Sequence, residues 1–175
     1  MLHIGPYRSG TQMGALVVFY SRTGNTKRIA EEILKTLNAD IEELYDAKDR
    51  KGITGWIVSG MDARLKRKTN LRKTEKDPSL YDLVILGTPT WANTLSTPIR
   101  SYIHQNSNTF KKVAFFVTSG FGIIKSAMGI YKEMANLCGK EPIAFLSLGM
   151  KDIEREHFDK VEAFVSTIKG YDKTS

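Results

Sequence analysis

Apolar residues fall along the chain in two alternating kinds of run. The first kind is short and continuous: ALVVFY (15–20), YDLVILG (81–87), KVAFFVTS (112–119) and PIAFLSLG (142–149). Such runs, rich in β-branched and aromatic residues, predict strands buried on both faces. DIEELY (40–45) is more polar and predicts a strand at a sheet edge. The second kind has helical spacing. Ile29, Ala30, Ile33, Leu34 and Leu37 predict a helix over 25–38. TPIRSYIHQ (97–105) predicts a short helix, with Pro98 in the first turn where a missing N–H is tolerated. Residues 123–139 and 154–170 read as amphipathic helices closed by Gly139 and Gly170. A weaker face of Ile53, Trp56, Ile57, Met61 and Leu65 predicts a helix over 53–66 and assigns Trp56 to packing.

Five strands alternating with five helices predict an α/β fold, a parallel sheet with helices on both faces. No internal repeat and no Pro- or Ser-rich linker interrupts the pattern. Residues 15–175 are therefore expected to form a single domain, and residues 1–14 a flexible N-terminal extension. That leader lacks the basic end and long apolar stretch of a signal peptide. No apolar run reaches the ~18 residues of a spanning helix. Cys138 is the only cysteine, so an internal disulfide and a cysteine-rich metal site are excluded. A lone cysteine fits a reducing compartment, and a cytoplasmic location is expected. His3, His104 and His157 lack zinc-ligand spacing.

Charge adds one local feature. The chain carries a formal +7, but segment 64–76 holds seven of its basic residues against Glu75 alone, leaving 19 basic and 18 acidic residues elsewhere. The patch reads either as a solvated helix end and loop or as a docking site for an anionic surface or an acidic partner. No RNA-binding signature or aromatic ladder accompanies it, so nucleic acid is the weaker option. A helix over 53–66 would be ~21 Å long. Starting near the carboxyl ends of the strands, it would carry Arg64–Lys68 to the opposite pole, away from any ligand.

In an open parallel sheet, ligands bind beyond the carboxyl ends of the strands. Three loops are then the candidates: 21–26, 88–95 and 118–123. The first, Ser21-Arg22-Thr23-Gly24-Asn25-Thr26, crowds hydroxyls at the start of a helix. Outward-facing N–H groups there carry partial positive charge and, with the hydroxyls, match a phosphate. Ser, Thr and Asn also serve as ordinary helix caps, but a cap needs one such residue and this loop offers several. The second loop places Trp91 outside any periodic apolar face, which suits either stacking on a flat ligand or plugging the loop onto the domain. The third brings Gly120, Phe121 and Gly122 to a strand end, where the glycines allow close backbone approach. Rival phosphate chemistries fit poorly. There is no G-x-x-x-x-G-K-[ST] and no G-x-G-x-x-G after the first strand. The first and third strands end in Tyr20-Ser21 and Gly87-Thr88, not in the carboxylates of a phosphate-accepting receiver.

At these residues the chain resembles the flavodoxin family, over 15–170. S-R-T-G-N-T is similar to that family's [ST]-x-T-G-x-T phosphate loop. The resemblance implies a three-layer fold with a five-stranded parallel sheet in the order 2-1-3-4-5, and FMN bound non-covalently. By position it implies that Ser21, Arg22, Thr23, Gly24, Asn25 and Thr26 hold the FMN phosphate. Thr88, Pro89, Thr90, Trp91, Ala92 and Asn93 would line the isoalloxazine ring, and Ser119, Gly120, Phe121 and Gly122 its other flank. No catalytic side chain and no metal site is implied. Two departures stand out: many family members are strongly acidic, and many carry tyrosine where this chain has Phe121. The expected role is electron carriage to a redox partner protein. The alternatives are an FMN-dependent NAD(P)H:quinone-type oxidoreductase, which the W-A-N-T-L-S-T-P pattern also resembles, and a flavin-sensing interaction module that docks through segment 64–76.

Overall fold

In a strand, successive side chains point to opposite faces, so a run that is apolar at every position needs cover on both. β1 (Ala15–Phe19), buried at all five positions, meets this condition in a computed structural model that describes residues 13–47, 69–120, 124–156 and 158–174. Leu16 and Val18 enter one core with Val84, Leu86, Phe115 and Val117. Val17 and Phe19 enter the other with Leu83, Ile85, Ala114 and Phe116. The first core is covered by α2 (Thr97–Asn106) and α3 (Ile124–Cys138). The second is covered by α1 (Asn25–Thr36), α4 (Met150–Glu154) and α5 (Asp159–Thr174).

The parallel strands lie in the order β2 (Ala39–Glu43), β1, β3 (Leu83–Trp91), β5 (Lys112–Ser119), β6 (Phe145–Gly149). Numbered among themselves they run 2-1-3-4-5, as expected. A sixth strand, β4 (Thr94–Leu95), pairs antiparallel with β3. The polar β2 is an edge strand, as its composition predicts.

Several boundaries move. Met13 is buried in the second core and the Gly14 N–H donates to Asp82 Oδ2 at 3.0 Å, so residues 13 and 14 pack with the strands that follow. β3 continues four residues past Gly87, through Pro89. The Gly14 carbonyl accepts from the Leu83 N–H, and the Gly87 carbonyl accepts from the Tyr20 N–H, which shows that alternate residues 83, 85 and 87 face β1. Pro89 falls in the same series, at a level where β1 has ended, so its missing N–H leaves no ladder bond unmade. The helix expected over 154–170 is interrupted. α4 stops at Glu154, Glu156 takes a left-handed φ of 56°, and α5 starts at Asp159.

The helix expected over 53–66, Trp56 and Arg64–Lys68 lie outside the described residues. The second half of the basic segment does not sit opposite the ligand pole. Asp46 and Leu71 form an antiparallel bridge just past the carboxyl end of β2, and the Arg72 N–H donates to the Tyr45 carbonyl at 2.9 Å. From there the chain runs back along the sheet edge. Glu42, buried on β2, accepts from the N–H groups of Glu75 (3.0 Å) and Lys76 (2.8 Å). A carboxylate taking two backbone donors compensates its own burial, and it fastens this segment over a strand edge that would otherwise be open.

Candidate functional site

The first loop leaves β1 after Phe19 and turns into α1 at Gly24, whose φ of 92° lies in the left-handed region that side chains resist. The Gly24 carbonyl accepts from the Arg28 N–H at 2.9 Å, closing the first helical turn. No side chain caps α1. The cap residue is Gly24 itself, so the first-turn donors make no side-chain bond to it. Ser21 Oγ is buried and has no hydrogen-bond partner among the described residues. Thr23 and Gly24 are exposed, while Arg22 and Asn25 are half-buried. Thr26 is buried, and its Oγ1 lies 2.8 Å from Thr118 Oγ1 at the end of β5. One of the two hydroxyls donates to the other, which leaves the pair one O–H to offer onward.

The second loop is not irregular. β3 runs to Trp91, and Ala92 and Asn93, with φ of 45° and 63°, form a two-residue turn into β4. Positive φ at both central positions gives the twist that a tight hairpin requires. The two turn residues are exposed and form the tip. Trp91 is buried in the first core and meets the Tyr20 ring edge to face, with centroids 5.3 Å apart. Tyr20 and Trp91 therefore make one aromatic wall where β1 and β3 end. The buried Thr88 Oγ1 accepts from the Ser96 N–H at 3.0 Å, so it ties the hairpin's return to the start of α2. Pro89 and Thr90 are half-buried, and Thr90 Oγ1, like Ser21 Oγ, is buried without a partner among the described residues.

The third loop starts at Ser119 and Gly120, at the end of β5. A Cβ added to Gly120 would meet no atom of the described residues within 4 Å. Phe121 and Gly122 lie outside the described residues. Thr26 and Thr118 join the first and third loops directly, and β3 pairs with β5 as far as Pro89 and Thr118. All three loops thus meet on one rim of the sheet. Among the described residues the arrangement offers backbone donors at a helix start, two buried hydroxyls without partners and a buried aromatic pair. Such a set suits a ligand with a phosphate at one end and a flat ring at the other. Arg22 is the one titratable side chain in the three loops.

The motif reading missed Tyr20, Arg100 and Glu133, and it gave no role to Thr94 and Thr118, although both lie in its candidate loops. Tyr20 closes an apolar run and reads as core; Thr118 reads as strand. Arg100 interrupts an apolar helix face, T-P-I-R-S-Y-I, and that interruption is the one sequence signal that could have exposed it.

Among the described residues, no helix is long and apolar enough to cross a membrane. None of the curated proteins matches the sequence. Among solved structures the chain is similar to a flavoprotein in complex with FMN from Lactobacillus acidophilus NCFM, with 22% identity over 82% of this chain and 98% of that one and a TM-score of 0.66. It is also similar to oxidised Flavodoxin 2 from Bacillus cereus (22% identity, 90% and 99% covered, TM-score 0.55). A third likeness is to the flavodoxin, WrbA-like protein from Agrobacterium tumefaciens (16% identity, 90% and 99% covered, TM-score 0.55). At these identities the likeness is one of fold. The sequence model of the family described as Flavodoxin matches residues 14–144, most of the chain and all three loops. The chain belongs to the flavodoxin family.

Proposed function

We propose that this protein binds FMN at the rim formed by its three loops and acts as an electron carrier. The observation that carries the FMN reading is the set of donors that the fold gathers: α1 starting at Asn25 with no side-chain bond from its Gly24 cap, and beside it Ser21 Oγ, buried without a partner among the described residues. Ser21, Arg22, Thr23, Gly24, Asn25 and Thr26 would hold the phosphate. Thr90, Trp91, Ala92 and Asn93 would line one side of the ring, with Thr88 and Pro89 setting the path of that segment, and Ser119–Gly122 would line the other. FMN bound there supplies one- or two-electron redox chemistry. The protein's part is to bind the phosphate through backbone N–H groups, hydroxyls and Arg22, to hold the aromatic wall and to leave the rim open to a partner.

The carrier reading is preferred because the family model that matches residues 14–144 is Flavodoxin; the lack of an acid–base pair in the three loops does not separate the two roles, since the flavin carries the reactive atoms. Protein purified without added cofactor is expected to release FMN and not FAD on denaturation. Ser21→Ala and Thr23→Ala should each weaken FMN by about 10–100-fold, the cost of a hydrogen bond to a charged group, and riboflavin much less. Equal losses for both ligands would place these hydroxyls away from the phosphate. Mixing the holoprotein with NADH or NADPH and a quinone separates the two roles. Flavin reduced only by an added reductase supports the carrier, and steady turnover supports the NAD(P)H:quinone-type oxidoreductase.

A further inference from the structure

Arg100 is a buried charge that the three loops do not account for. It lies on α2, 3% exposed, and its guanidinium reaches two other elements. Nη2 donates to Glu133 Oε1 on α3 at 2.9 Å and to Thr94 Oγ1 on β4 at 3.1 Å. Thr94 Oγ1 in turn donates to Glu133 Oε2 at 2.5 Å. Three side chains from three elements thus close a ring of hydrogen bonds.

Thr94 is the cross-strand partner of Trp91. The ring therefore ends on the residue directly opposite the indole. The hairpin is also held by its buried Trp91 and Leu95 and by the Thr88–Ser96 bond, but none of these reaches the Thr94 hydroxyl. It makes two cross-strand pairs, Thr90–Leu95 and Trp91–Thr94, and its turn puts an alanine in the left-handed region. A two-stranded hairpin is marginal by itself, and a left-handed alanine works against it. The buried ion pair is also a weak device for stability, since desolvation offsets most of the attraction. Arg100 Nε and Nη1 are buried with no partner among the described residues, which adds to that cost. What the ring does supply is direction. It leaves one place for Thr94 Oγ1, and hence one register and tilt for the hairpin.

We propose that Arg100 and Glu133 are positioning residues which act through Thr94 to fix the β3–β4 hairpin and set Trp91 as the wall of the flavin site. The proposal rests on the reading that this rim binds FMN, but the placement of Trp91 can be measured without any flavin. The chain has two tryptophans, so a Trp56→Phe background leaves Trp91 as the reporter.

In that background Thr94→Val removes the hydroxyl at constant shape, Thr94→Ser keeps it, and Glu133→Gln removes the charge while keeping an acceptor. Acrylamide quenching of Trp91 in apoprotein, dissociation constants for FMN and riboflavin, and urea midpoints are measured for each. Thr94→Val is expected to make Trp91 more quenchable and to weaken FMN and riboflavin by the same factor, about tenfold. Thr94→Ser should restore both readouts, and Glu133→Gln should fall between. An equal loss for the two ligands separates a misplaced wall from a lost phosphate contact. If Trp91 quenching and both affinities are unchanged while only the urea midpoint falls, the ring is merely structural and the proposal is overturned. If Thr94→Val does not fold, Glu133→Gln decides on the same criteria. Should the wild type bind no flavin, the FMN reading falls, and the quenching series alone judges the positioning.

Discussion

Single residues show how closely this sheet is filled. Gly87 faces Phe116 across the β3–β5 ladder, and a Cβ on Gly87 would lie 2.0 Å from Phe116 Cζ. The ring occupies the volume that any side chain at position 87 would need. Gly87→Ala should cost about 1–3 kcal/mol as overpacking, read as a lower urea midpoint at unchanged slope. Adding Phe116→Leu should recover part of that loss, and a strictly additive double mutant would show that the two sites do not touch. Cys138, buried at the end of α3, is raised by burial from an ordinary 9.0 to about 12. The thiol should resist alkylation in the folded protein at pH 8 and react once urea is added. Its proton linkage has a definite sign. Between pH 9 and about 12 the unfolded chain releases the proton that the folded chain keeps. That contribution is full below pH 9 and declines above it, by up to about 1.4 kcal/mol per pH unit. Burial raises the Tyr81 and Tyr102 phenols as well, so they add to the decline. Urea midpoints of wild type and Cys138→Ala at pH 8 and pH 10.5 should show a smaller fall for the variant.

At the scale of elements, the hairpin and the α4–α5 corner both spend backbone strain at the ligand rim or beside it. Ala92 is the one hairpin turn residue without a side chain suited to positive φ, whereas Asn93 tolerates it. Ala92→Asn should stabilise the protein by about 0.5–1 kcal/mol, measured by urea unfolding. A loss of stability would mean that the turn is held in another geometry. At the second corner Glu156, with its left-handed φ, pairs with Arg28, and the Arg28 guanidinium lies over the Phe158 ring, 5.6 Å from its centroid. These contacts join the first turns of α1 to the break between α4 and α5. Helical periodicity carries no mark of such a break, because Ile153, Val161 and Phe164 keep their burial on either side of it.

For the whole molecule, the route of residues 69–77 changes what the basic segment can do. Strands are spaced about 4.8 Å apart, so a chain beside β2 lies about 10 Å from β1, close to the Debye length of ~8 Å at physiological salt. Arg72 and Lys73 are exposed near the carboxyl end of β2, the pole where the three loops meet. In the proposed carrier role, charge at that range would steer an acidic redox partner toward the rim. Replacing both with glutamine should slow electron transfer with an acidic partner at low salt, and the difference should vanish as salt is raised. An effect independent of salt would assign the two residues a packing role, such as the contact of Arg72 with the Tyr45 ring.

The sequence by itself determined the sheet and its rim. A continuous apolar run such as KVAFFVTS can be satisfied only between two layers, and alternation with helical spacing makes the strands parallel. Strand ends then place the loops, and the hydroxyls of Ser21–Thr26 announce their chemistry locally. What the tertiary structure decided depends on the neighbour across a gap, which no local pattern contains. Trp91 reads as a loop residue because Gly87 and Pro89 punctuate the chain, yet Pro89 is tolerated in β3 because β1 has already ended there. Arg100 reads as a solvated charge until Thr94 and Glu133 arrive from β4 and α3 to bury it. The segment 69–77 reads as a charged loop, and Glu42 draws its backbone along the edge of β2. In each case the deciding partner is distant in sequence, and its effect is set by a hydrogen bond or a missing strand, not by hydrophobic period.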